Sequence, residues 1–332
     1  MDPLSQGVIA AVAAQQKSSK KNLVIATALG FFSGMAADID IFFKSDIDPL
    51  FYLEFHRQFT HSLLFIPIGS FLCACFFYYL FLRSKDIKFK ETYIYCTLGY
   101  ATHGLLDSCT SYGTQLLWPF TNERIAWNLI SIIDPLFTIP LVILVLFAVV
   151  KNNKIFSYIA LSWAFLYITF AMIQQDRAEA IGMEIAKSRG HLISSIIAKP
   201  SFANLIVWKT IYTTENSYYI DAVRLGYNSN IIEGTEVKKF EVKESFPWLN
   251  IHSQQAKDIE RFRWFSNGYI AISDVNPNYI MDIRYSTLPY KADGLWGIKL
   301  NRDAKKYDHV ETISNRRSRI ETYKKLWELI NN

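Results

Sequence analysis

Apolar residues gather in long runs over the first 175 positions and give way to a polar, charged remainder. Positions 22–43, 62–82, 93–109, 129–150 and 155–173 each approach the ~20 consecutive apolar residues that a bilayer-crossing helix needs. A shorter stretch, 3–16, follows Asp2-Pro3, where Asp suits a helix cap and Pro the first turn. It is too short to span and is expected to lie on the surface or re-enter the membrane. After position 173 the pattern changes. Residues 174–198 read as a helix with Glu and Lys outward, and period-two alternation at 205–212, 218–224, 236–242, 268–273 and 279–285 predicts strands. A charged helix over 315–331 closes the chain. The expected fold class is an α-helical membrane domain, 1–175, of five long spans plus a short N-terminal helix, followed by a small α+β extramembrane domain, 176–332. No internal repeat or low-complexity tract interrupts either part.

Charge orients this scheme. Three basic groups, Lys17/Lys20/Lys21, Arg83/Lys85/Lys88/Lys90 and Lys151/Lys154, alternate with the spans so that all fall on one side. The positive-inside rule makes that side cytoplasmic. The loops 44–61 and 109–128 and everything after 174 are then expected on the non-cytoplasmic side. A net charge of +5 with no dense Lys/Arg block gives no nucleic-acid signal. Cys73, Cys75, Cys96 and Cys109 all lie in apolar segments, so 176–332 offers neither a disulfide framework nor a cysteine zinc site. No cleavable signal peptide is evident.

Ionisable residues inside apolar segments are the candidate chemistry. His103 and Asp107 are four apart, hence on one helix face, and are expensive to bury unpaired. Under the topology above, Asp38, Asp40, His56, His61, His103, Asp107 and Asp134 all collect at the outer membrane face. Imidazole and carboxylate together suit Zn²⁺ or another first-row divalent ion such as Mn²⁺. Seven such groups exceed the ligands of one structural zinc. They suggest two ions, or one ion with carboxylates orienting the imidazoles. Arg57, Arg124 and Glu54 are the nearby groups able to bind an anionic oxygen or act as a base. Blander readings stand beside these. Asp134-Pro135 suits a helix cap, Arg124 an interfacial anchor with Trp118 and Trp127, and His103 a hydrogen-bonded core histidine.

The stretches Met1-Asp-Pro-Leu-Ser-Gln-Gly7, Ala37-Asp-Ile-Asp40, His56-Arg-Gln-Phe-Thr-His-Ser62, His103-Gly-Leu-Leu-Asp107, Thr110-Ser-Tyr-Gly113 and Leu117-Trp-Pro-Phe120 resemble the YdjM-like family of bacterial membrane-bound metal-dependent hydrolases. The likeness runs in order over roughly 1–175, and the polar remainder is similar to that of a longer subgroup. The resemblance implies a multi-pass protein of the bacterial cytoplasmic (inner) membrane. It implies metal ligands at His56, His61, His103 and Asp107, with Asp38 and Asp40 beside them. Many members have a histidine where this chain has Gln6, which is expected here as a polar lining residue. A remote likeness to zinc phospholipase C and P1-type nucleases favours a phosphoester. Two expectations follow: a hydrolase acting on a lipid or other phosphoester or ester at the outer membrane face, or a non-enzymatic membrane protein with a structural or transport-related metal site and an exported binding domain.

Overall fold

The computed structural model describes residues 1–315 and 320–331. The chain packs as two units. The first is Met1–Phe43, Phe55–Met172 and Phe202–Asn204; the second is Lys44–Glu54, Ile173–Ser201 and Leu205–Asn332.

The first unit is helical. Helix α1 (Pro3–Lys17) starts where Asp2 accepts a 3.0 Å hydrogen bond from the Ser5 amide. It is no surface element. Ala10, Ala11 and Ala14 are fully buried, and the helix packs against α2 (Leu23–Met35), α5 (Phe89–Ser108) and α6 (Pro135–Val150). Small side chains permit that closeness. A Cβ at Gly34 of α2 would collide with Ala10, an overpacking that typically costs about 1–3 kcal/mol. The short α3 (Phe51–Phe55) lies in the segment between α2 and α4 (Ile66–Phe77). Helix α7 runs from Ile155 to Ser188.

Among the described residues, three stretches are long and apolar enough to cross a membrane: Leu23–Phe42, Leu63–Leu82 and Ile155–Ser188. Two of the five expected spans fall outside that set. Helix α5 has 20 residues but carries Lys90, Glu91, His103 and Asp107, and α6 starts at Pro135 and has only 16. Sequence pattern also places a helix boundary near 174, where composition turns polar. The structure has none, because the polar residues there are good helix formers and no breaker intervenes. Helix α7 stops instead before Gly190, whose φ of +73° provides the left-handed exit.

The second unit holds two antiparallel four-stranded meanders. One orders β1 (Ser195–Pro200), β2 (Val207–Thr213), β3 (Ser217–Leu225) and β4 (Ser229–Lys238). The other orders β5 (Ile270–Ile272), β6 (Tyr279–Asp282), β7 (Trp296–Lys299) and β8 (Glu311–Ser314). Ile211, Tyr218 and Ile220 from the first sheet and Ala271, Tyr279 and Met281 from the second share one buried core. Strand β1 occupies residues expected to be helical, since Ile196 and Ile197 pair with β2. The strand expected at 236–242 ends at Lys238, and α8 (Val242–Ser245) follows. Helix α9 (Gln254–Phe265) and strands β7 and β8 had no counterpart in the pattern. Helix α10 (Ile320–Asn331) matches most of the expected closing helix; positions 316–319 and 332 lie outside the described residues.

Candidate metal centre

Three local backbone features bring the ionisable groups of the first unit together. Helix α2 tightens into a 3-10 turn over Ala36–Phe42, carrying Asp38 and Asp40. Positions two apart sit about 160° apart around an α-helix but only about 120° apart around a 3-10 helix, which swings both carboxylates toward one side. A second 3-10 turn, Phe59–His61, presents His61. The last turns of α5 present His103 and Asp107. Gly104 lets these parts meet: a Cβ there would strike the His61 carbonyl.

The imidazoles are oriented by their outer nitrogens. His103 Nδ1 lies 2.5 Å from the Gly34 carbonyl, which can only accept, so Nδ1 is the donor. His61 Nδ1 lies 3.0 Å from Thr60 Oγ and 3.3 Å from Asp40 Oδ2. Thr60 Oγ donates to that same Asp40 oxygen at 2.8 Å, so it accepts from His61. Asp40 also accepts from the Arg57 amide at 3.0 Å and pairs with His56 Nδ1 at 2.8 Å. A carboxylate or carbonyl behind each imidazole is the arrangement that aims the opposite nitrogen at a metal.

Both Nε2 atoms point to one spot. They lie 2.9 Å apart. Asp38 Oδ1 is 3.4 Å from each, and Asp107 Oδ2 is 3.4 Å from His61 Nε2 and 3.8 Å from His103 Nε2. His61, His103 and Asp107 are buried, while the Asp38 side chain keeps 24% exposure. With Nδ1 donating on both rings, neutral imidazoles would press lone pairs against each other and against two carboxylate oxygens. Positive charge must sit among them, as a proton or as a metal ion. Burial opposes a charged His61, but hydrogen bonds to Asp107, Asp38 and Asp40 push its pKa up to about 10. The donor set also fits a divalent ion. Asp38, His61, His103 and Asp107 form one four-ligand group, and Asp38, Asp40 and His56 form a second that shares Asp38.

Arg57 stands beside this cluster. Its Nε lies 3.0 Å from Asp107 Oδ2, yet neither atom completes a hydrogen bond. Its Nη1 donates to Thr110 Oγ1 at 3.1 Å, and its φ of +67° is uncommon for a non-glycine residue. With neutral imidazoles, Asp38, Asp40 and Asp107 outweigh Arg57 and the Met1 ammonium that pairs with Asp107, so the cluster keeps a net negative charge that favours a cation.

A family model described as YdjM inner membrane protein matches residues 1–178. The chain belongs to this family. Among curated proteins, this YdjM-family chain is 26% identical over 199 residues to the uncharacterized protein YfhP of Bacillus subtilis (strain 168), a match covering 60% of this chain and 58% of YfhP. It is 35% identical over 81 residues to the inner membrane protein YbcI of Escherichia coli (strain K12), covering 23% of this chain and 44% of YbcI. The matches thus span about half the length of these relatives. No solved structure matches.

Within the family's segment, the other candidates are placed as follows. Gln6 on α1 donates to Asp107 Oδ1 at 2.8 Å, and its own Oε1 is buried without a hydrogen-bond partner. Asp107 Oδ1 also meets the Met1 nitrogen. Arg124 donates to the Gly113 carbonyl at 2.9 Å and faces the Tyr112 ring at 5.9 Å, on which Arg57 stacks at 4.8 Å. Asp134 is not brought to the cluster. It caps α6 by accepting from Phe137 N, and Tyr167 donates to both its oxygens at 2.8 Å. Glu54 belongs to the second unit, where its carboxylate pairs with Arg261 at 2.6 Å. Sequence reasoning missed Thr60 and the Gly34 carbonyl. The adjacency of Thr60 to His61 was a usable signal; nothing in a sequence marks a carbonyl as a partner.

Proposed function

We propose that this YdjM-family membrane protein is a metal-dependent hydrolase whose centre is the Asp38–His61–His103–Asp107 group. The observation that carries this reading is the convergence of two preset Nε2 atoms and two carboxylate oxygens on one point. A divalent ion held there would polarise a phosphoryl or acyl oxygen and acidify a bound water. This chain's own residues would do the rest. Asp40 and the Gly34 carbonyl hold the imidazole tautomers. Asp38, the exposed ligand, marks the edge from which substrate enters. Arg57 sits where a guanidinium can offset developing negative charge. Asp38, Asp40 and His56 are the residues that would hold a second ion. The substrate class favoured is a lipid or other phosphoester or ester.

The topology that goes with this reading has five membrane crossings in the bacterial inner membrane, with the centre and the domain after 174 on the non-cytoplasmic side. It is supported by the alternation of the three basic groups. Modification of single cysteines at positions 115 and 86 by an impermeant reagent tests it; labelling at 86 but not at 115 from outside would reverse it.

The near-complete burial of His61, His103 and Asp107 favours a second reading, a structural ion without catalysis. Elemental analysis of detergent-purified protein together with a phosphodiester and lipid-ester hydrolysis assay separates the two. The hydrolase reading expects about one or two divalent ions per chain and turnover, both lost in His61→Ala and His103→Ala. Stoichiometric metal without turnover selects the structural ion. No metal in the wild type sinks both.

A further inference from the structure

The first unit contains a groove of about 510 Å³ beside the metal centre, within the ~300–1,000 Å³ typical of ligand sites. Phe32, Ile39, Phe59, Phe65, Leu72 and Phe76 are among the large apolar side chains of its wall. These belong largely to the stretches Leu23–Phe42 and Leu63–Leu82, both apolar enough to cross a bilayer. Phe32, Ile39, Leu72 and Phe76 are more than half exposed, so at membrane depth the groove opens toward lipid.

The groove runs past the two segments that carry candidate ligands. Ile39 lies between Asp38 and Asp40 in the chain. Thr60, which also lines the groove, contacts Asp40 and His61 through its hydroxyl. Tyr100 on the groove floor donates its hydroxyl proton to the Thr60 carbonyl at 2.8 Å, and Gly69 leaves room for that ring. The hydroxyls of Thr60 and Tyr100 are therefore already donating inside the protein. An occupant with many polar groups, such as a peptide, would find few partners there and leave its own groups unsatisfied. A hydrocarbon chain needs none.

We propose that this groove seats one acyl chain of a membrane glycerophospholipid, with the polar end of that lipid directed toward Asp38, the partly exposed edge of the cluster. Chain seating stands on the groove alone. Only the fate of the polar end rests on the hydrolase reading.

The test is photo-crosslinking of the full chain, reconstituted in phosphatidylglycerol vesicles containing a trace of phospholipid with a diazirine in its acyl chain. Crosslinked peptides are mapped by mass spectrometry. The expected result is a concentration of label on 59–77, falling about tenfold in Ala36→Phe, the loss expected when a few methylenes are shut out. Leu72→Trp is the second blocking variant if Ala36→Phe does not fold. Label on 135–150, a lipid-facing control, should not change. Label spread evenly over 59–77 and 135–150, or unmoved by both blocking variants, overturns the proposal. Efficient labelling by a diazirine fatty acid but not by the phospholipid overturns the choice of a glycerophospholipid. His61→Ala keeps the failures apart: it should abolish metal content and leave the crosslink intact, so a missing metal cannot be mistaken for a missing lipid.

Discussion

Two clusters in this protein use the same residue types and are built to opposite effect. In the second unit, Asp48, Glu54 and Asp258 surround Arg261. The guanidinium meets Glu54 at 2.6 Å, Asp48 at 2.7 Å and Asp258 at 2.9 Å, and His309 Nδ1 adds a 2.8 Å contact to Asp258. All three guanidinium nitrogens are in use. A planar cation with five directed donors closes that cluster. In the first unit, Asp38, Asp40 and Asp107 have one arginine, which is badly aligned, the Met1 nitrogen against Asp107, His56 on Asp40, and two further imidazoles whose Nδ1 donors point away from the centre. Counting acidic residues would not separate the two. The direction of the donors does: one cluster is closed by its arginine, and the other turns two imidazole Nε2 atoms and two carboxylate oxygens toward one point, a donor set that fits a divalent ion.

The largest expected effect is on divalent metal binding by the first cluster. Asp107→Ala or His103→Ala removes a ligand from a four-ligand set, and metal measured by elemental analysis should fall to background. Retention of full metal would mean that the ion, if present, lies elsewhere. Arg261→Ala should leave metal content unchanged, so a loss there would break the comparison from the other side.

Next in size is the shell behind the imidazoles. Asp40→Asn keeps shape but removes the charge that orients His56 and His61. Partners of this kind are typically worth about 10–100-fold in metal affinity. Competition with a chromophoric chelator measures the change. An unaltered affinity would demote Asp40 to a structural role.

A smaller effect is expected in the closed cluster. Arg261→Ala leaves Asp258, which is buried, and the partly exposed Asp48 and Glu54 without their counter-ion. Solvent at the exposed side chains limits the loss, so about 2 kcal/mol of stability is expected, read as a shift in denaturant midpoint by tryptophan fluorescence. No shift would mean that water replaces the arginine at little cost.

Much of the membrane half was legible because bilayer crossing imposes long apolar runs, and Leu63–Leu82 and the start of α7 follow from length alone. The pairing of His103 with Asp107 on one helix face followed from spacing. The sequence did not reveal that Asp134 faces Tyr167 or that Glu54 pairs with Arg261, since both depend on residues far along the chain. Strands β7 and β8 carry only Trp296, Ile298 and Ile313 as large apolar side chains, too few for alternation to declare itself. The helix boundary expected near 174 shows the converse: a change of composition along α7 brings no change of backbone.

The smallest effect sharpens the comparison through pH. Burial raises the Asp48 pKa, but the hydrogen bonds from Arg261 outweigh it and hold the carboxyl below its ordinary value. A depressed carboxylate binds its proton more weakly in the folded state than in the unfolded one. Its stabilisation is thus complete above the unfolded value of about 4 and fades as pH falls through the lower folded value. Between those values the unfolded chain takes up a proton that the folded chain refuses, so stability should decline with acid. Arg261→Ala removes the cause of the depression and should flatten this slope while lowering the plateau at neutral pH. Denaturation midpoints of the full chain in detergent, from pH 3 to pH 7, read both quantities. A wild-type profile that matches the variant's slope would show that Asp48 titrates as though Arg261 were absent, and the second cluster would no longer count as closed.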